Sequence, residues 1–461
     1  MKKYLSLLLL LVFTLVLVGC GNKNKDPNGG GGGGQVTGEV TLSYASWGDA
    51  ALDDLLIAEF EKTHPNVKIY RDTSITGTGN SFTANLVTAA QGGVLPDVFI
   101  TDNVPTVIEN GLVGDIAQYW DKDDDAKLVY DNIANTAVYN GKRYAMPSFQ
   151  YIKGMLVNKT LLEEIGAEIP SYDWTFEEFK AYCEQYAKVA TNSEGQQVQG
   201  VNGFAPNGGE GTLGFEQVMP GQDSETLLYD AWNGQEFDYT DPLWIKYRAE
   251  TDYFFDNGLV ENLSAEEKEA LYGAPDAYLF QQGVVMFGIE ATWQVGDIIP
   301  IMAANGFEVD FYPFPAGAKH QIPVILDYMC VSSQTQYPEI AYEFCKFMSY
   351  GKAGWQARLA ACEELGLVIE GYPVADYPEV WAQIKEDIDP VTYGGLLANL
   401  ELIGDGIPDC DKWMPGYGSF WGWVSDNAED LGFWDMPVDQ LASTWKEEIN
   451  KLVAQAKDEF K

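Results

Sequence analysis

Positive charge is scarce in this 461-residue chain: 28 Lys and Arg face 69 Asp and Glu, a formal net charge of −41. A surface so short of cations cannot displace counterions from phosphates, which excludes a nucleic-acid partner. Histidine is scarcer still. His64 and His320 are the only two and stand far apart in sequence, which argues against a His-based catalytic or metal site. Beyond Cys20 there are five cysteines, Cys183, Cys330, Cys345, Cys362 and Cys410, an odd set with no C-x-x-C pair. Mostly free, buried thiols are expected, with room for one bridge. A G-x-x-x-x-G-K-[S/T] phosphate loop and a G-x-S-x-G elbow are both missing, and Gly77-Thr78-Gly79 is too short and misplaced for a dinucleotide fingerprint. No cofactor is therefore expected. The acidic run Asp121–Asp125 has the look of a calcium loop, but Ala126 stands where such a loop needs Gly and Asn132 where it needs Glu, so it reads as a solvated acidic loop. What the chain does have is a 46% hydrophobic and 13% aromatic composition, which excludes disorder. Its length suits two or three compact units at about 150 residues each.

The N-terminus reads as an address. Lys2 and Lys3 precede an apolar run from Leu5 to Val18, followed by Gly19 and Cys20. The run is short for a membrane span. The segment resembles a bacterial lipoprotein signal, which implies a signal peptide over 1–19, cleavage before Cys20, and acylation (palmitate) of that thiol. The protein would then sit on the extracytoplasmic face of the bacterial cell membrane. Residues 20–38, with six consecutive glycines, read as a flexible linker spanning about 25 Å.

Beyond the linker the pattern alternates between strand and helix. Strands are expected at Val40–Ala45, Val67–Tyr70 and Asp97–Ile100, with helices over Asp49–Thr63 and Phe82–Gln91 between them. This order predicts an α/β layer with a largely parallel sheet. Ligands in such sheets lie outside the carboxyl ends of the strands, which singles out Ser46–Asp49, Thr73–Ser81 and Thr101–Asn103. Further helices are expected over 174–189, 264–282, 338–350 and 437–460, and a strand over 284–288. Residues 192–242 are rich in Gly, Asn and Gln and read as loops or an insertion.

Several segments in this order are similar to the sugar-type extracellular solute-binding proteins of bacterial ABC importers (family 1). They are the Cys20 lipobox, EFEKTHPNVKI, LPDVFITDN with NGLVGDI, NGKRYAMPSFQYIKGMLVNKTLLEEIG with WTFEEFKAYCEQYA, FQQGVVMFGIEATW, YPFPAG, and YPEIAYEFCKFMSYGKAGW. The resemblance covers about residues 39–360; the Trp-rich end matches less clearly. It implies a type II periplasmic-binding-protein fold: two discontinuous α/β lobes joined by a multi-strand hinge, with the ligand cleft between them. By analogy lobe one takes residues 39–148 and 322–365, and lobe two takes 149–321 and 366–461.

A sugar offers hydroxyl edges and C–H faces, so its site needs aromatic plates beside carboxylates and amides. The resemblance and the loop positions together mark Trp293, just after VVMFG, as a stacking plate, and Tyr151, just past the first crossing, as a cleft residue. Trp47 and Asp49 follow the first strand, although Asp49 also suits a helix N-cap. Asp102 and Asn103 follow the third strand, where Asp102 could simply cap or turn. Asp327 and Tyr328 interrupt the apolar run Pro323–Val331, where many relatives are Gly-rich; a charge there must find a partner or a wet cavity. Trp413, Tyr417 and Trp421 lie in WMPGYGSFWGW, which resembles an extra cleft wall and would alternatively pack as an aromatic cap.

The function implied is capture of a carbohydrate, an oligosaccharide, by hinge closure and delivery to ABC permease subunits, by a lipid-anchored monomer that is not an enzyme. Two alternatives stand beside it: a lipid-anchored glycoside hydrolase, which needs a carboxylate pair across the sugar, and a binder of a peptide, polyamine or metal chelate. An aromatic-walled cleft without an acidic cluster would favour sugar among the binding readings.

Overall fold

Alternating burial makes Val40–Ala45 (β1) a strand, with Val40, Leu42 and Tyr44 turned inward. Asp49 starts the next helix, α1 (Ala50–Thr63), by accepting from the Ala51 and Leu52 N–H groups, both at 2.9 Å. Helix α1 buries Leu56, Ile57 and Phe60 and gives way to β2 (Val67–Arg71). Helix α2 (Gly79–Gln91) begins three residues before the predicted start, because Gly77 and Gly79 take positive φ and the Ser81 hydroxyl accepts from the Thr78 N–H. Strand β3 (Val98–Thr101) and helix α3 (Val104–Glu109) follow. The computed structural model describes residues 38–202 and 214–460, so the signal segment, Cys20, nearly all of the linker and residues 203–213 lie outside the described part.

The remaining strands are β4 (Val138–Tyr139), β5 (Lys142–Arg143), β6 (Met146–Asn158), β7 (Gln199–Asn202), β8 (Val285–Ala291), β9 (Val309–Tyr312), β10 (Pro323–Val331) and β11 (Ile407–Pro408). The main sheet runs β2-β1-β3-β10-β6-β8-β7. The parallel pairing read from the sequence holds for β2, β1 and β3. Beyond them β10 is antiparallel to both β3 and β6, so the sheet is mixed. Strand β6 changes partners midway: Met146–Ile152 pair with β10, and from Lys153 onward the strand pairs with β8 and β9. One strand thus belongs to both halves of the sheet.

Buried side chains form two clusters. One gathers Leu42, Phe82, Phe99, Leu326, Phe344 and Trp355; the other gathers Trp174, Phe179, Trp244, Phe287, Phe420 and Trp445. Strand β6 feeds both, through Ile152 and Leu156 on one side and Met155 and Val157 on the other. Cys183, Cys330, Cys345, Cys362 and Cys410 are all buried and unpaired, as the odd count suggested.

Two stretches differ from their sequence reading. The helix expected over 264–282 stops at Tyr272, because Gly273 adopts a left-handed cap (φ +76°) and Pro275 cannot continue it. Within 192–242, the described residues hold β7 and a helix, Phe215–Asp223, rather than loop alone. Its polar residues mislead: Glu216 is buried against Arg248 (3.1 Å) and the Thr251 hydroxyl (2.5 Å), so polarity there reflects internal pairing. Glu216→Ala would remove one of the two carboxylates on the buried Arg248 guanidinium, the other being Asp252 at 2.8 Å, and is expected to cost about 1–3 kcal/mol in chemical denaturation, beyond the cost of Glu216→Gln.

Candidate ligand-binding site

The loop after β3, the start of α2, the middle of β6, the end of β8, the bulge in β10 and residues 409–413 meet around one group of polar side chains. Asp102, 2% exposed, leaves β3; its Oδ1 accepts from the Thr83 hydroxyl at 2.8 Å and its Oδ2 lies 3.4 Å from the Lys412 ammonium. Gly79 makes room for it, since a Cβ there would stand 3.1 Å from Oδ2. The register of β10 pairs Tyr328 with Thr101, and a bulge between Asp327 and Tyr328 re-aims the strand. Asp327 is buried beside Tyr151. Tyr151 in turn meets Trp293 edge to face, with centroids 5.4 Å apart and planes at 69°. Both rings are half-buried. Gly371 leaves space for the Tyr151 ring, because an added Cβ would fall 2.8 Å from it.

Burial dominates the electrostatics. It pushes Asp327 up to about 7, with Asp102 adding to the rise and Lys412 and Tyr151 opposing it. Asp409 is likewise pushed up to about 7 by burial and by Asp411, against Lys153 and Lys412. Burial also works against the charge of Lys412, but Asp102, Asp327, Asp409 and Asp411 outweigh it and hold its pKa above the usual lysine range. Asp409 Oδ1 finds no hydrogen-bond donor among the described residues. The site is therefore rich in acceptors, with Lys412 paired to Asp102, Lys153 nearby, and rings along one side.

Of the residues singled out from the sequence, Asp102, Asp327, Tyr151 and Trp293 come together here. Trp47 is half-buried beside α2, edge-on to Phe82 at 5.2 Å. Asp49 and Asn103 serve as N-caps of α1 and α3, Asn103 accepting from the Thr106 N–H at 3.0 Å. Tyr328 points to the opposite face of β10, fully buried, and donates to the Thr136 hydroxyl at 2.8 Å. Trp413 donates from its indole to the Asp409 carbonyl and so abuts the group from behind. Tyr417 is buried and donates to Asp230 at 2.6 Å, while Trp421 packs on Phe420 and Trp445. Three contributors escaped the sequence reading: Lys153, Asp409 and Lys412. Lys153 left a signal, a cation inside the apolar strand YIKGMLV, and Asp409–Lys412 left another, a charge cluster wedged between Pro408 and Trp413.

Two other concavities lie elsewhere. An open groove of about 920 Å³ is lined by Leu55, Phe60, His64, Phe347 and Ala357, and a smaller one of about 470 Å³ by Tyr139, Trp232, Trp413 and Lys457. Neither includes Asp102, Asp327, Tyr151 or Trp293.

The model of the bacterial extracellular solute-binding protein family matches residues 44–349. The chain belongs to this family. No curated protein matches it significantly. Solved structures do. A cyclic α-maltosyl-1,6-maltose binding protein from Arthrobacter globiformis shares the fold at a TM-score of 0.67 and 19% identity, over 91% of this chain and 100% of its own. A sugar transporter from Rhizobium etli in an open conformation gives 0.65 and 18%, over 89% and 98%. An ABC substrate-binding protein from Listeria monocytogenes in complex with cycloalternan gives 0.63 and 19%, over 90% and 99%. At these identities the likeness establishes the two-lobed α/β fold. In an extracellular solute-binding protein, acceptor groups on several separate elements can be satisfied together by one solute, which ties those elements into one arrangement.

Proposed function

We propose that this solute-binding protein captures a carbohydrate, an oligosaccharide, outside the cell and hands it to the permease subunits of an ABC importer. The observation that carries the reading is the edge-to-face Tyr151–Trp293 ring pair beside Asp327; the acidic group Asp102, Asp327 and Asp409 there departs from the acid-free cleft expected for a neutral sugar. Rings accept the C–H faces of a sugar and the carboxyls accept from its hydroxyls. The solutes named for the Arthrobacter and Listeria neighbours, cyclic α-maltosyl-1,6-maltose and cycloalternan, support the same class. In this reading lobe one comprises residues 39–148 and 322–365 and lobe two 149–321 and 366–461. The change of partners in β6 at Ile152 and Lys153 is where the lobes hinge. Ligand contacts from both lobes exist together only in the closed form, so the sugar shifts the equilibrium toward closure. The protein works as a monomer, without turnover of its ligand, tethered at an acylated Cys20 on the extracytoplasmic face of the membrane.

The test is a thermal-shift screen of the purified protein against neutral oligosaccharides, peptides and polyamines. A sugar at 100 times its Kd adds about 2.7 kcal/mol of stability. Stabilisation by peptides or polyamines alone overturns the carbohydrate reading, and release of smaller sugars on incubation converts it to a hydrolase.

A further inference from the structure

Acidic groups outnumber basic ones in the binding group itself. Asp102, Asp327 and Asp409 are 2%, 7% and 2% exposed, and half-buried Glu290 neighbours Lys153. Among the described residues Lys412 and Lys153 answer them, with Lys412 shared among Asp102, Asp327, Asp409 and Asp411. Glu290 already accepts from the Tyr278 hydroxyl and Asp102 from Thr83. Asp409 Oδ1, by contrast, is buried with no donor among the described residues. A buried carboxylate oxygen in that state calls for a donor, and a charged donor is worth about twice a neutral one. The Tyr151 and Trp293 rings beside Asp327 favour the same partner, since Tyr and Trp faces attract cations.

We propose that the solute is an amine-bearing sugar, whose ammonium docks at Asp409 and Asp327 while a neighbouring ring lies against Trp293 and Tyr151. This rests on the carbohydrate reading above and narrows it from neutral oligosaccharides to aminosugars.

Matched sets test it by isothermal titration of the full protein. Glucosamine oligomers are compared with their N-acetylated forms and with the corresponding glucose oligomers, and 2-amino-2-deoxy maltosaccharides with maltosaccharides. The free-amine member of the tightest-binding set is expected to bind at least about tenfold more tightly than its hydroxyl or N-acetyl counterpart. Asp409→Asn, which keeps the side-chain volume, is expected to bring that ratio close to unity, and Asp327→Asn to reduce it, with circular dichroism confirming the fold. Equal or tighter binding of the neutral members overturns the aminosugar assignment and leaves the carbohydrate reading standing. An unchanged ratio in Asp409→Asn overturns the role of Asp409. Failure of every sugar to bind removes both readings together.

Discussion

Trp293→Ala is expected to weaken carbohydrate binding by about 30-fold or more, roughly 2 kcal/mol, which is the usual scale for a central aromatic anchor. The indole sits in the first turn of the helix Thr292–Ala304, half-buried, with its main ring contact the edge-to-face approach to Tyr151. The surrounding helix keeps its own anchors, since Val295, Ile298, Ile299 and Met302 are buried on its inner side. The melting temperature of the free protein should therefore move by about 1 °C or less. Titration calorimetry measures the first quantity and a thermal melt the second. A variant that melts about 3 °C or more below the parent would make Trp293 a core residue and remove the plate from the binding argument. Trp293→Phe, which keeps an aromatic face of smaller area, should fall between.

A large stability effect is expected at a residue remote from the ligand. Asp230 is 1% exposed and accepts from Tyr417 at 2.6 Å, Tyr239 at 2.8 Å and the Trp244 indole at 3.2 Å. It also holds a left-handed backbone (φ +47°), a conformation Asn shares more easily than Ala. Asp230→Ala would orphan three buried donors and strain the turn, for a loss of about 3 kcal/mol or more. In a domain of this size that lowers the melting temperature by roughly 3–4 °C. Asp230→Asn keeps one acceptor and the turn, and should lose less. The pair also has a pH signature. Burial, opposed by the Tyr417, Tyr239 and Trp244 hydrogen bonds, leaves the Asp230 carboxyl at about 7, against about 4 in an unfolded chain. The folded state therefore keeps a proton that the unfolded state has released. The stability tied to this group is fully present below pH about 4 and is lost as pH rises toward about 7, by at most about 1.4 kcal/mol per pH unit. The Asn variant lacks that slope, so the stability of Asp230→Asn relative to the parent should rise between pH 4 and 7 in urea denaturation. A constant difference across that range would mean that Asp230 is ionised throughout.

These two residues mark how far the sequence could be read. Trp293 was legible because it closes a strand pattern, VVMFGIEATW, whose order in the chain matched a known family. Asp230 was not, because nothing in a Gly- and Asn-rich stretch says that one carboxylate will be ringed by Tyr239, Trp244 and Tyr417, the last of them 187 residues away. The same blindness applies to Glu216 with Arg248, and to Lys153 with Asp409. A polar side chain carries no local sign of whether water or another side chain will satisfy it. The caps were read more easily: Asp49 was recognised as a potential N-cap because capping depends on neighbours two and three residues away.

Local rules determined what is local in this protein. Period-two and helical patterns placed β1, α1, β2, α2 and β3 within a few residues. The Gly273 stop, by contrast, was passed over although its signal was local. Tertiary structure alone decided that β10 would enter antiparallel beside β3, that β6 would change partners at Lys153, and that Asp102, Asp327, Asp409 and two lysines would share one buried space. The physical reason is range. Backbone propensity and capping act over a few residues, whereas pairing register and the burial of charge depend on which distant segments exclude water from the same place.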